Sequence, residues 1–222
     1  MPVVIALPFT GLWRARNSPA RRVPSHGTEL LASRYAIDFI GASPPSLRSA
    51  DVTDWRTLFA TEPASRFAAF GRPLLAPGDG VVVTAHDGSP DHAARRSQLA
   101  LVPYALAQPS RLRAGLPAIA GNFVILDLGG VFAALVHLRC GSVRVSPGEV
   151  VSTGSVLGEC GNSGNSTQPH VHIQLMTTPD PLSAAPVPMA FARFRERPPR
   201  SQAFATREAA IPAENALIQP LL

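Results

Sequence analysis

Tyr35 to Ile40 (YAIDFI) alternates with the period of two of a half-buried strand, which sets Asp38 opposite to Ile37 and Phe39. Leu74 to Thr84 (LLAPGDGVVVT) reads as a glycine-centred turn running into a β-branched strand. Strand patterns resume at Asn122 to Leu128, Phe132 to Leu138, Val143 to Val145, Val150 to Glu159 and Pro169 to Met176. The turns APGDG and SPGEV each precede a valine-rich strand, a spacing that hairpins stacked into a sandwich or flattened barrel would produce. Helical pattern is sparse: Asp51 to Ala60 predicts a short capped helix, and a stretch around His92 to Gln108 predicts partial helix. The charged segment 85–117 breaks the β pattern and is read as an insertion. Asn17 to His26 is a proline-rich loop, Gly161 to Gln168 (GNSGNSTQ) a tight polar one. The expected organisation is a single all-β domain over 1–222, an antiparallel sandwich or flattened barrel, with an N-terminal extension at 1–25 and a C-terminal one at 179–222. Within the latter, Ala190 to Phe194 predicts an edge strand and Ala209 to Leu222 a trailing arm.

Composition supports that picture. Of 222 residues, 23 are proline and 17 glycine, both helix breakers, while hydrophobic residues reach 45% and charged ones only 16%. The chain is therefore neither disordered nor a coiled coil, and long enough for a sizeable core. A net charge of +5, carried by arginine, fits an anionic partner. The arginines at positions 14, 16, 21 and 22, and again at 193, 195, 197 and 200, stand among prolines rather than stacking aromatics. They read as a solvated surface, with no nucleic-acid partner. Met1 to Thr10 is apolar but lacks a basic start and a small-residue cleavage site, so it reads as a strand rather than a secretory signal. No run reaches the length of a membrane span. Cys140 and Cys160 are too few for a four-cysteine metal site, although they could form one bridge.

The candidate chemistry centres on His170-Val171-His172. One residue between two histidines on a strand sends both imidazoles to the same face, and the Gly/Asn/Ser loop before them can bend closely around a ligand. His137 ends a hydrophobic strand (ALVHL) and can face the same cleft. Read alone, it is equally a core histidine bonded to backbone. Asp38 in an apolar strand is costly unless paired, hydrogen-bonded or bound to metal. Three histidines and one aspartate from separate strands are what a zinc hydrolase needs: N/O ligands, an open position for water, and an imidazole beside it. The cluster HDGSPDH at 86–92 could also bind a metal but reads as a solvated loop in the insertion. Gly161 and Gly164 lack the lysine and helix of a nucleotide loop.

LAPGDGVVV at 75–83, GNFV at 121–124, His137-Leu138, PGEVVSTGSVLG at 147–158 and GNSGNSTQPHVHIQ at 161–174 resemble, in that order, the peptidase core of the lysostaphin-like (LytM-type) zinc metallopeptidases. The resemblance covers roughly Asp38 to Leu175 apart from the insertion. It implies an antiparallel β core with zinc in an open groove, and amide hydrolysis in a peptide, such as a peptidoglycan cross-link or stem peptide. It implies that His172 and Asp38 are zinc ligands, and that His170 and His137 orient the attacking water and stabilise the tetrahedral intermediate. The family commonly carries a histidine four residues before the aspartate. Here that position is Arg34, which has no lone pair to donate. His26, in Ser25-His26-Gly27-Thr28, is the candidate replacement, provided that the excursion between it and Tyr35 folds back onto the strand. Two other readings compete: a catalytically inactive relative that binds a partner in its groove, favoured by Arg34, and a phosphocarrier of related β core, which Asp38 argues against.

Overall fold

The structure, a computed structural model, describes residues 1–97 and 115–221. Residues 98–114, part of the expected insertion and most of the helical stretch around His92 to Gln108, lie outside the described residues. The strands are β1 (Val3–Ile5), β2 (Trp13–Arg16), β3 (Ile37–Gly41), β4 (Pro73–Leu75), β5 (Gly80–His86), β6 (Asn122–Asp127), β7 (Phe132–Leu138), β8 (Val150–Val151), β9 (Val156–Glu159), β10 (Val171–Met176), β11 (Pro186–Val187), β12 (Met189–Arg197), β13 (Ala205–Ala210) and β14 (Leu217–Pro220). Among the described residues, two short helices, α1 (Trp55–Phe59) and α2 (Leu116–Ala120), a kinked 3-10 segment at Leu30–Tyr35 and a 3-10 turn at Ala64–Arg66 complete the order.

One large sheet runs β1-β12-β14-β2-β3-β10-β7-β6-β5-β8, and β4 with β9 forms a second, two-stranded sheet. The protein is all-β as expected, with one departure from antiparallel pairing: β1 lies parallel to β12. Leu74 and Leu157 of the small sheet pack into the same core as Phe39, Leu126, Leu135, Ile173 and Phe191 of the large one. That packing buries one face of β3, β10, β7 and β6. The turns APGDG and SPGEV are followed by strands that pair with each other, Gly80 opposite Val151 and Val81 opposite Val150. The helix expected at 51–60 is α1, where Asp54 accepts the Arg56 amide and closes a capping box with Thr57.

Three expectations are corrected, and one open question is answered. Ala209 to Leu222 is no trailing arm: β14 lies between β12 and β2, and Ala216, Leu217 and Ile218 are buried, because that apolar run completes the core around Trp13. The strand expected at Ala190 to Phe194 is part of β12, paired on both sides rather than at an edge. Val143 to Val145 forms no strand, since the Val143 amide donates to Asp87 instead of a neighbouring strand. Cys140 and Cys160 are both free, one exposed and one buried.

An ion cluster ties α1 to the segment after β5. The fully buried Glu62 accepts from Arg96 at 2.7 Å, with Arg66 at 3.7 Å. The Arg96 hydrogen bond outweighs burial and holds the Glu62 carboxyl below its usual 4.5. A depressed folded-state value contributes stability that is complete above pH 4.5 and lost as pH falls through the folded value. Thermal melts taken downward from pH 6 should therefore show the native chain losing more of its midpoint below about pH 4.5 than Glu62→Gln does. Parallel curves would show that the cluster contributes nothing.

Candidate active site

The second face of β10, β7 and β6 floors a groove of about 380 Å³. It is walled by Leu30 and Leu31 on one side and by Leu116 and Ile119 of α2 on the other. Alternation puts Ile37 and Phe39 in the core and turns Asp38 to the opposite face, where it is buried beneath His26 and His172. It likewise sends Val171, Ile173 and Leu175 inward and turns His172, Gln174 and Met176 outward. Asp38 and His172 stand directly opposite in the β3–β10 register, the pairing that brings side chains closest.

His137 reaches this face by a different route. Asn122 pairs with Leu138 and Phe123 with Val136, so His137 is the extra residue of a β-bulge, with φ of 67°. Strict alternation would have sent it to the core with Ala133 and Leu135. The bulge gives that place to Leu138 and turns His137 into the groove beside Val136.

His26 is brought in by a closed loop. The Ser25 amide donates to the Arg34 carbonyl at 3.0 Å, and Ser25 Oγ donates to the Ser33 carbonyl at 3.3 Å. These bonds pinch the neck of the excursion that runs from 26 to 34 and fold it back beside β3. Ser25 Oγ also lies 3.0 Å from His26 Nδ1. That contact steadies the ring with Nε2 facing Asp38 at 3.2 Å. Arg34 points away from the groove and pairs with Glu29.

The four imidazoles surround one carboxylate. His172 Nδ1 lies 2.9 Å from Asp38 Oδ1 and His170 Nε2 3.8 Å from the same oxygen, while Asn17 donates to Oδ2 at 2.7 Å. The His26 and His172 rings are 4.8 Å apart between centroids, those of His137 and His170 4.7 Å. Burial presses the Asp38 carboxyl upward, but its electrostatic interaction with His170 and its hydrogen bonds with His172 and His26 win and hold it well below the usual range. Burial pushes His137 well down and His170 down, which favours the neutral imidazole in both. At His172 burial is outweighed by the hydrogen bond that its imidazole gives to Asp38 and by the charge of that carboxylate, and its value rises.

Tautomers follow from the partners. His137 Nδ1 is 2.9 Å from the Ser163 carbonyl and His170 Nδ1 2.7 Å from that of Gln168. A carbonyl only accepts, so each Nδ1 carries the proton and each Nε2 is bare. The loop 161–168 that presents these carbonyls is docked by close backbone approach. A Cβ at Gly164 (φ +68°) would lie 2.3 Å from the Gly121 amide nitrogen. The HDGSPDH segment is not a solvated loop: Asp91 accepts the amides of Asn162 and Cys140, and Asp87 those of Gly141 and Val143. It clamps the backbone behind the groove.

Two positioning residues carry sequence signals that were not used. Gln174 continues the every-second-residue series 170, 172, 174; its Oε1 lies 3.0 Å from His172 Nε2, and its amide donates to the Leu31 carbonyl at 2.7 Å. Asn17 has only its place in a proline-rich loop to mark it. The donors of His26, Asp38 and His172 all lie within 4.8 Å of one another, two imidazoles and a carboxylate, which is a donor set that zinc accepts. The residues present fit that metal.

Residues 105–184 match the sequence profile of Peptidase family M23. That segment contains His137, His170 and His172; His26 and Asp38 precede it. The chain is 30% identical over 122 residues to the peptidoglycan DD-endopeptidase ShyA of Vibrio cholerae, a match covering 54% of this chain and 21% of that protein. Among solved structures it is similar to the catalytic domain of lysostaphin from Staphylococcus simulans. There the identity is 19% and the TM-score 0.37, over 68% of this chain and 74% of that one. It is also similar to the M23 metalloprotease pseudoalterin from the deep sea, at 13% identity and TM-score 0.45, over 100% and 99%. Motif order, matched segment and curated relative point the same way: residues 105–184 are similar to Peptidase family M23, and the sequence is similar to a peptidoglycan DD-endopeptidase. The match spans about a fifth of that relative's length.

Proposed function

We propose that the chain is a zinc-dependent metalloendopeptidase that hydrolyses an amide bond in peptidoglycan peptides. His26, Asp38 and His172 hold the metal, and His137 and His170 serve the reaction. The observation that carries this reading is the meeting of three donors within 4.8 Å, one from a pinched loop and two from paired strands, beside two imidazoles with bare Nε2 atoms.

Bound there, the metal supplies Lewis acidity toward the scissile carbonyl and toward water. The chain's own groups do the rest. Each bare Nε2 of His170 and His137 can take a proton from the attacking water, and once protonated it donates to the oxyanion that develops on the carbonyl. The Gln168 and Ser163 carbonyls keep both rings aimed through the cycle, which lowers the cost of reaching the reacting geometry. The inactive-module alternative drew on Arg34; the placing of His26 beside Asp38 and His172 supports the enzyme reading instead.

Zinc-loaded protein should convert cross-linked peptidoglycan peptides to fragments bearing one new amine and one new carboxylate, read by mass spectrometry. Chelation should stop the conversion and zinc restore it. Intact peptides after prolonged incubation with the zinc-loaded chain would overturn the assignment.

Gln174 holds the remote nitrogen of His172, a contact that orients a ligand ring and raises its basicity. Gln174→Ala is expected to weaken zinc binding by about 10- to 100-fold in competition with a chromogenic chelator. Unchanged affinity would remove Gln174 from the metal site.

A further inference from the structure

The charge of +5 is unevenly placed around the groove. A recess of about 550 Å³ is lined by Arg14, Arg16, Arg48, Arg95 and Arg96 together with Gln168, and among the described residues no acidic side chain lines it. It adjoins the proposed reaction centre on two sides. Arg16 of β2 stands opposite Asp38 in the β2–β3 register, and Gln168 is the residue whose carbonyl holds His170.

Not all five cations are free to act. Arg96 is committed to the buried Glu62, and Arg16 has Glu214 at 3.8 Å. Arg14 gives Nη1 to the Asn215 carbonyl at 2.9 Å and Nη2 to the Leu47 carbonyl at 3.0 Å, both neutral acceptors that fix the guanidinium without neutralising it. Burial and the adjacent charges of Arg16 and Arg197 press its pKa downward, as in a site crowded with cations. Among the described residues no carboxylate pairs with Arg14 or with the exposed Arg48. Like charges gathered in a concave, partly desolvated place raise the local potential and favour an anion there. A guanidinium fork matches the two oxygens of a carboxylate.

We propose that this recess is a substrate subsite for a carboxylate: Arg14, already held by backbone, and Arg48, free to close over it, seat an anionic group of the peptide. The amide to be cut then lies over His172. The placing of that amide rests on the function proposed above; the carboxylate site does not. The substrate class becomes acidic peptides.

Binding can be read without turnover, using the full-length His170→Ala chain and a fluorescein-labelled peptide, Gly-Ala-Glu-Ala-Gly. Two controls are its glutamine twin and the same peptide with an amidated C-terminus. The acidic peptide is expected to bind about ten-fold more tightly than the twin lacking the carboxylate that occupies the recess, with the preference shrinking as salt is raised. Loss on the glutamine twin assigns the side chain, and loss on amidation assigns the chain end. Arg48→Glu, at an exposed position, should abolish or invert the preference, while Arg48→Lys should retain part of it. Equal binding of all three peptides, or a preference that survives Arg48→Glu, would overturn the proposal. A preference that holds while the zinc-loaded native chain cuts nothing would leave the subsite standing and remove only the hydrolase reading.

Discussion

Alanine at His172 is expected to leave the purified chain without zinc and to lower hydrolysis by on the order of a thousand-fold or more, about 4 kcal/mol of barrier. His172 touches Asp38 on one nitrogen and Gln174 on the other, so it is the donor best fixed from behind. Its loss leaves one imidazole and one carboxylate, too few protein donors for a catalytic zinc site that keeps a position open. Fold is not the cause, because the core on the far side of β10 is built from Val171, Ile173 and Leu175, which the substitution leaves in place. Metal analysis beside a thermal melt separates the two effects. A variant that still carries about one zinc per chain would remove His172 from the ligand set.

His170→Ala should behave in the opposite way with respect to metal. Its Nε2 is 3.8 Å from Asp38, farther than the nitrogens of His172 and His26, and its Nδ1–H is tied to Gln168. The zinc should remain, while kcat falls by about 10²- to 10⁴-fold, the usual worth of a positioned acid or base. If His137 and His170 act as one unit, removing both should cost little more than removing one. Loss of zinc in the single variant would make His170 a ligand, and full activity would remove it from the chemistry.

The sequence made one half of this site readable and hid the other. Asp38 and His172 lie in strands with clean alternation, so their shared face followed from the period of two. The placement of His137 did not, because the bulge in β7 breaks alternation at that residue, and nothing in ALVHL marks it. His26 had only a loop to recommend it. What brings it in is a long-range backbone bond, Ser25 to Arg34, that no local pattern encodes. The C-terminal arm was misread for a related reason: ALIQ is too short to signal a strand by itself and becomes one because a gap between β12 and β2 accepts it. The HDGSPDH segment was taken for solvated loop since its carboxylates look unpaired in sequence. Their partners are backbone amides some 50 to 70 residues away. Local periodicity thus reports faces of regular strands, and it is silent where long-range hydrogen bonds decide.

The account stands or falls on whether the imidazole at position 26 replaces the one missing at position 34. Zinc-edge anomalous diffraction from crystals of the zinc-loaded chain tests this directly. One strong peak in contact with His26, Asp38 and His172 together is the predicted result. A peak touching Asp38 and His172 with His26 turned away, or no peak on this face of the sheet, would contradict it.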